Sequence, residues 1–285
     1  MNNQEIKPVS VKTFQKLKNN NEKITMLTAY DYSTAKYIDE SGIDAVLIGD
    51  SLGMTILGYD NTINVTIEDM ITFTKAVSRG IKRALVVADM PFLSYHLSKE
   101  QATLNAGKLI QSGAKAVKLE GASDFILDII KHLTNCGINV MGHLGFTPQY
   151  INTIGGYYVQ GKSYENTLKL LDAAKKLETN GAFAIVLEMV PEESAKYISE
   201  NISIPTIGIG AGKYCDGQIL VVDDILGKYP GNIPKFAKQY VNLKEIMKNA
   251  ITQYNLEVKE QIFPTDKHVF KLTKEESDKL GNLIN

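Results

Sequence analysis

Cysteine is scarce in this chain: its 285 residues hold two, Cys136 and Cys215. They lie far apart, the first before a glycine where a helix should end and the second in a polar loop. A disulfide framework or a Cys-based zinc site would need more of them. An excess of one charge is missing too, since 31 basic residues face 32 acidic ones for a net charge of −1. No long-range field would gather nucleic acid or an anionic membrane, so small molecules are the expected partners. No stretch approaches the roughly 18 apolar residues of a membrane span. Residues 1–8 are polar where a signal peptide would be apolar, and the expected location is the cytoplasm. No Gly/Pro/Ser-rich linker divides the chain. Its 44% hydrophobic and 22% charged residues suit one sizeable buried core.

What the chain does have is a recurring phrase: a helix-like run, a glycine, a tolerant position or two, then Ala, Val, Ile and Leu. It occurs at Gly42-Ile-Asp-Ala-Val46, Gly80-Ile-Lys-Arg-Ala84, Gly113-Ala-Lys-Ala-Val117, Gly137-Ile-Asn-Val-Met141 and Gly181-Ala-Phe-Ala-Ile185. Glycine ends a helix cheaply because the residue after the last turn usually needs positive φ. Each copy therefore reads as helix, stop, strand. Helix starts are marked as well, by the capping-box spacing of Ser98-Lys-Glu-Gln101, by Thr66 before Ile67-Glu68-Asp69, and by Pro191 with Glu192 and Glu193.

The strands are continuous apolar runs, as in a parallel sheet covered by helices on its faces. Eight fall at residues 24–30, 45–49, 84–88, 116–119, 140–142, 184–187, 206–209 and 219–222. Eight strands alternating with helices over this length predict a (β/α)8 TIM barrel and not an open doubly wound sheet. One catalytic domain is expected over residues 1–270. Within it, an amphipathic helix at 10–18 caps one barrel end and a further helix at 243–258 follows strand eight. Residues 271–285 form a charged tail, either a surface helix or disordered. Two long connections, 52–65 and 145–163, follow strands and so fall on the catalytic face as candidate lids or substrate walls.

Polar residues end the apolar runs. Strand two closes with Asp50 and Ser51, strand three with Asp89, strand four carries Lys118 and Glu120, strand five ends at His143 and strand six at Glu188. In a barrel these tips converge on one mouth. The side-chain period of two puts Lys118 and Glu120 on the interior face, with Val117 and Leu119 turned to the helices. Carboxylates buried together need a positive partner, and hard oxygen donors without paired Cys or His favour Mg²⁺ over Zn²⁺. The plainer alternative is that these acids cap the following helices. Glu188 has apolar sequence neighbours, a setting that makes a carboxylate more basic and suits a general base, although a salt bridge to Lys118 would also account for it. His143 reads either as a substrate hydrogen-bonder or as a satisfied core histidine. Gly208-Ile-Gly-Ala-Gly212 matches neither phosphate-loop spacing, and tight backbone packing explains it at least as well.

Taken together the motifs resemble the ketopantoate hydroxymethyltransferase family over about residues 10–270. The likeness rests on Thr28-Ala-Tyr-Asp-Tyr32, Gly49-Asp-Ser-Leu-Gly-Met54, Ala88-Asp-Met-Pro-Phe92, Val117-Lys-Leu-Glu-Gly121, Gly142-His-Leu-Gly-Phe-Thr-Pro-Gln149, Gly155-Gly-Tyr157, Val159-Gln-Gly161, Gly208-Ile-Gly-Ala-Gly212, Asp216-Gly-Gln218 and Pro234-Lys-Phe236. The resemblance implies transfer of the one-carbon unit of 5,10-methylenetetrahydrofolate to C3 of 3-methyl-2-oxobutanoate, giving 2-dehydropantoate for pantothenate biosynthesis. It implies Mg²⁺ at Asp50, Asp89 and Glu120, and the oxoacid at Asp50, Ser51, Asp89 and Lys118. Glu188 becomes the proton acceptor, His143 lines the pocket, and the assembly is a homodecamer. Residues 271–285 run past the family's usual end.

The residues suit an enolate mechanism, in which a polarised ketone, a cation for the carboxylate and a base for the C3 proton work together. A Mg²⁺-dependent C–C lyase of 2-oxo or 2-hydroxy acids would need the same parts and commonly a cysteine at the mouth. A non-catalytic binding barrel would not need Glu188.

Overall fold

The computed structural model describes residues 7–281. Its first half runs α1 (Val11–Asn19), β1 (Ile24–Thr28), α2 (Tyr32–Glu40), β2 (Ala45–Ile48), α3 (Leu52–Thr55), α4 (Ile67–Gly80), β3 (Leu85–Asp89), α5 (Lys99–Gln111), β4 (Ala116–Glu120) and α6 (Asp124–Asn135). It continues with β5 (Val140–Gly145), a 3-10 turn (Pro148–Tyr150), α7 (Ile151–Ile154), α8 (Tyr164–Thr179), β6 (Ala184–Glu188), α9 (Glu192–Glu200), β7 (Thr206–Ile209) and β8 (Gly217–Leu220). After the last strand come α10 (Val222–Ile225), α11 (Leu243–Lys259) and α12 (Lys274–Gly281). All strand pairs are parallel and β1 pairs with β8, closing the eight-stranded barrel that the sequence predicts.

Two apolar layers follow from the alternation along each strand. Met26, Leu47, Val87, Ala116, Met141, Val186 and Ile207 pack inside the barrel, whereas Val46, Val86, Val117, Leu119, Ile185 and Leu187 pack outward with the helices. Lys118 and Glu120 share the inward face of β4 with Ala116, as their spacing requires. The ladder then sets neighbours, pairing Asp89 with Lys118 and Glu120 with His143 at the Cα level.

Helix α1 closes the end where the strands begin. Ser10 and Thr13 form a reciprocal capping box, and the one fully buried side chain of the helix, Phe14, enters the interior cluster. Its ring meets Phe183 edge-on, with centroids 5.7 Å apart. Burying one phenylalanine contributes about 1.5–3 kcal/mol. Lys18 Nζ donates to the Ser199 and Ile204 carbonyls and to Asp216 Oδ2 at 3.0–3.1 Å, tying the helix to the bottom of β7 and β8.

Several expectations need correction. Strand eight begins at Gly217, two residues earlier than its apolar run suggests. A Cβ at Gly217 would lie 2.6 Å from the Ile24 carbonyl oxygen, so this glycine allows β1 and β8 to approach and does not mark a loop. Cys215 lies in the loop between β7 and β8, as expected, but its side chain is fully buried beside the Gly208 backbone. Cys136 is exposed and C-caps α6. The long connections carry short helices, α3 in the first and the 3-10 turn with α7 in the second. The 271–285 tail contains the exposed helix α12, and its residues 282–285 lie outside the described region. Among the described residues no helix is long and apolar enough to cross a membrane.

Candidate active site

The strand-end side chains predicted to converge do so at the end of the barrel opposite Phe14. Asp50, Asp89, Lys118, Glu120 and His143 are all buried. The Asp50 backbone N–H donates to Asp89 Oδ2 at 3.0 Å, and Lys118 Nζ lies 2.9 Å from Asp89 Oδ1. His143 stands between two carboxylates, its Nδ1 3.3 Å from Glu120 Oε1 and its Nε2 3.2 Å from Glu188 Oε2. Ser51 contributes its hydroxyl, 2.8 Å from that of Tyr30. The Glu188 side chain is 16% exposed, against at most 5% for Asp89, Lys118, Glu120 and His143, so of these five Glu188 is the most open to solvent.

Neither plainer alternative survives this geometry. Helices α5 and α6 are capped by Ser98 and Ser123, and Ser51 at the start of α3 makes no capping hydrogen bond, so the acids are not helix caps. Glu188 meets His143 and not Lys118, and its immediate surroundings are correspondingly less apolar than its sequence neighbours suggest. In Gly208–Gly212 the glycines allow close packing: a Cβ at Gly210 would strike Phe236, and one at Gly212 would strike the Glu192 side chain. A carboxylate beside that loop is a poor neighbour for phosphate.

Four carboxylates share the mouth with two cations, and the titration behaviour reflects this. Burial, then the charges of Asp89 and Glu120, push Asp50 well above the ordinary carboxylate range. Burial also raises Asp89, against the pull of Lys118. Glu120 goes the other way: burial would raise it, but hydrogen bonding and charge from His143, with Lys118, hold it low. Burial would lower Lys118, yet Asp89, Glu120 and Asp50 drive it up and keep it charged. His143 is opposed by burial and by Lys118, but its hydrogen bonds to Glu120 and Glu188 push it up to about 9. Its ring sits between the two carboxylates at ion-pair distance, with Lys118 Nζ 3.2 Å from Nδ1.

The sequence reading missed Gln149 and Tyr95. Gln149 Nε2 donates to Asp50 Oδ2 at 2.8 Å, its backbone N–H donates to Glu120 Oε2 at 3.0 Å, and its Oε1 accepts from the Tyr95 hydroxyl at 2.8 Å. Gln149 appeared only as the last letter of a motif, and nothing in local pattern marks a loop glutamine as central. The two long connections also meet across the mouth, where Tyr157 stacks on Phe146 at 5.0 Å and its hydroxyl points to Met54 Sδ at 3.9 Å.

The donor set suits a divalent cation bound through one or two carboxylates. Asp50, Asp89 and Glu120 lie close enough to feel one another's charge, although among the described residues no three His, Cys, Asp or Glu side chains form a ready protein cage. Glu120 Oε2 accepts the Gln149 N–H and its Oε1 lies 3.3 Å from His143 Nδ1, while Asp50 and Asp89 are raised by burial and carry charge that a counterion would stabilise. Mg²⁺ is commonly held through one or two carboxylates, with water or substrate oxygens completing its shell.

A parallel eight-stranded barrel with acid, base and ammonium groups at the carboxyl ends of its strands defines an enzyme of the (β/α)8 class. Among solved structures the chain is similar to 2,3-dimethylmalate lyase, a PEP mutase/isocitrate lyase superfamily member, at TM-score 0.58 and 14% identity, covering 96% of this chain and 98% of that one. It is similar also to phosphonopyruvate hydrolase in complex with oxalate and Mg++, at TM-score 0.60 and 10% identity, covering 97% and 98%. These are likenesses of fold. In sequence, residues 8–266 match the family described as ketopantoate hydroxymethyltransferase, and the chain belongs to that family. The 3-methyl-2-oxobutanoate hydroxymethyltransferase of Clostridium novyi (strain NT) is 56% identical over 272 residues, covering 95% of this chain and 98% of the relative. That of Thermoanaerobacter sp. (strain X514) is 56% identical over 270 residues, covering 94% and 98%.

Proposed function

We propose that the chain transfers the one-carbon unit of 5,10-methylenetetrahydrofolate to C3 of 3-methyl-2-oxobutanoate, forming 2-dehydropantoate in pantothenate biosynthesis. The observation that carries this reading is Glu188, a partly exposed carboxylate held by His143 beside a buried lysine and two carboxylates with raised pKa. Lys118 offers a charge-assisted hydrogen bond to the oxoacid carboxylate. Glu188 takes the C3 proton, and His143 keeps its carboxylate aimed at the mouth. A divalent cation of the Mg²⁺ type, when bound at Asp50 and Asp89, supplies Lewis-acid polarisation of the ketone worth several kcal/mol. Water releases the folate-borne methylene as formaldehyde while tetrahydrofolate leaves, and the enolate carbon attacks the carbonyl carbon of formaldehyde, whose oxygen takes up a proton to become the hydroxyl. The loops that meet at Tyr157 and Met54 shield the enolate from bulk water.

The lyase alternative loses its support, since Cys215 is buried in the outer packing and Cys136 caps a helix at the strand-start end. The homodecamer belongs to the same proposal. Support for assembly comes from α11, which buries none of its residues and exposes Ile246, Met247, Ile251 and Tyr254 in the single chain.

Deuterium exchange isolates the first chemical step. With enzyme, Mg²⁺ and 3-methyl-2-oxobutanoate in D₂O, NMR should show loss of the C3 proton faster than without enzyme, and Glu188→Gln should slow exchange and turnover by at least about a hundredfold. The sample is repeated with tetrahydrofolate lacking the one-carbon unit, which allows for folate-driven closure. No exchange in either sample, from an enzyme that binds the oxoacid, would overturn the enolate mechanism.

A further inference from the structure

Both donors and the oxygen of the Gln149 amide are engaged inside the protein. The residue is 3% exposed, on the 3-10 turn that follows β5. Of its two Nε2 hydrogens one goes to Asp50 Oδ2 at 2.8 Å and the other to the Met90 carbonyl at 2.9 Å. The Met90 carbonyl can only accept, so the nitrogen must face it and Oε1 must face Tyr95. The Tyr95 hydroxyl donates to Oε1 and accepts the Glu120 N–H at 3.2 Å. The backbone N–H of Gln149 donates to Glu120 Oε2. One residue in a loop thus touches two carboxylates from different strands, and its side chain is locked by a tyrosine whose hydroxyl also bonds β4.

We propose that Gln149 is the positioning residue for the anionic half of the site. Its side chain fixes Asp50, its main chain fixes Glu120, and Tyr95 prevents the amide from turning over. A loop anchor would satisfy its donors on backbone carbonyls, as Nε2 does once, at Met90. Spending the other donor on the buried Asp50 carboxylate, at 2.8 Å, acts on the site itself. The role rests on the reading of Asp50 as a group that binds cation and oxoacid. Groups of this kind, one step removed from the ligand, typically contribute 10–100-fold in metal affinity or activity.

The test titrates Mn²⁺ into wild-type protein, Asp50→Asn, Gln149→Met, Tyr95→Phe and the double variant, reading free Mn²⁺ by EPR and folding by thermal melting. Wild type should bind and Asp50→Asn should not. Gln149→Met keeps chain length and should raise the Kd about 10–100-fold. Tyr95→Phe should raise it less, and the double variant no more than Gln149→Met alone. Tyr95→Phe keeps the ring and carries the test if Gln149→Met fails to fold. Wild-type Mn²⁺ affinity in either folded single variant, or additive losses in the double, would overturn the positioning role. If wild-type protein itself binds no Mn²⁺, the metal reading fails, and calorimetric affinity for 3-methyl-2-oxobutanoate takes its place. There a comparable loss in Gln149→Met supports the role and unchanged affinity overturns it.

Discussion

The two ends of the barrel interior are built from the same strands and the same inward-facing positions, yet they are opposites. At the strand starts Phe14 and Phe183 close an apolar interior, and Lys18 finds three oxygen acceptors. At the strand ends the inward positions hold Asp89, Lys118, Glu120, His143 and Glu188, with more carboxylates than cations. The closed end satisfies its polar groups within the chain. The mouth is left with Asp50 and Asp89 pushed towards their neutral forms, an electrostatic imbalance that a bound cation relieves. Stability is concentrated where partners are complete, and chemistry where they are not.

Substitutions at the two ends should separate these roles. Asp89→Ala is expected to have the largest effect, lowering Mg²⁺-dependent turnover by about a thousandfold or more while circular dichroism stays that of a folded barrel. Near-normal turnover at limiting Mg²⁺ would erase the contrast at the mouth. Phe14→Ala should do the reverse, costing about 3–5 kcal/mol in denaturant unfolding while turnover of the folded fraction is retained. A fall in turnover without a stability loss would show that the plug serves the mouth. Lys18→Met removes a partly exposed ammonium whose hydration in the unfolded chain offsets most of what its three acceptors return, so its destabilisation should be about 1–3 kcal/mol, smaller than that of Phe14→Ala. Deleting residues 271–285 should have the least effect, with turnover unchanged in a steady-state assay, because α12 touches neither end of the barrel interior and buries no residue.

Much of this contrast was legible in the sequence. The side-chain period of two placed Lys118 and Glu120 inward, and the polar residues ending five successive apolar runs located the mouth, because strand geometry converts order in the chain directly into height in the barrel. The amphipathic stretch at 10–18 correctly marked a cap. Contacts between side chains from different loops were not legible. The pairing of His143 with Glu188 depends on register between β5 and β6, and the role of Gln149 depends on how a 3-10 turn folds back over β2 and β4. Gly217 misled because a glycine needed for close backbone approach looks, in one dimension, like a glycine that ends an element. The burial of Cys215 was hidden by its polar neighbours Lys213 and Asp216 for a similar reason.

The seam between β1 and β8 carries a consequence for the order of folding. It joins Ile24–Leu27 to Gly217–Leu220, and the Val222 N–H reaches Thr28 Oγ1 across 194 positions of chain. Contacts of such sequence separation carry the largest loop-closure entropy and form late. Strands β2 to β6, which bear the charged groups, lie wholly between the two edges of the seam. Until it zips shut, those carboxylates can remain hydrated, so their mutual repulsion opposes closure and not the earlier collapse. The chain meets the electrostatic penalty of its mouth in one late step, when nearly all of its apolar packing is already in place to offset it.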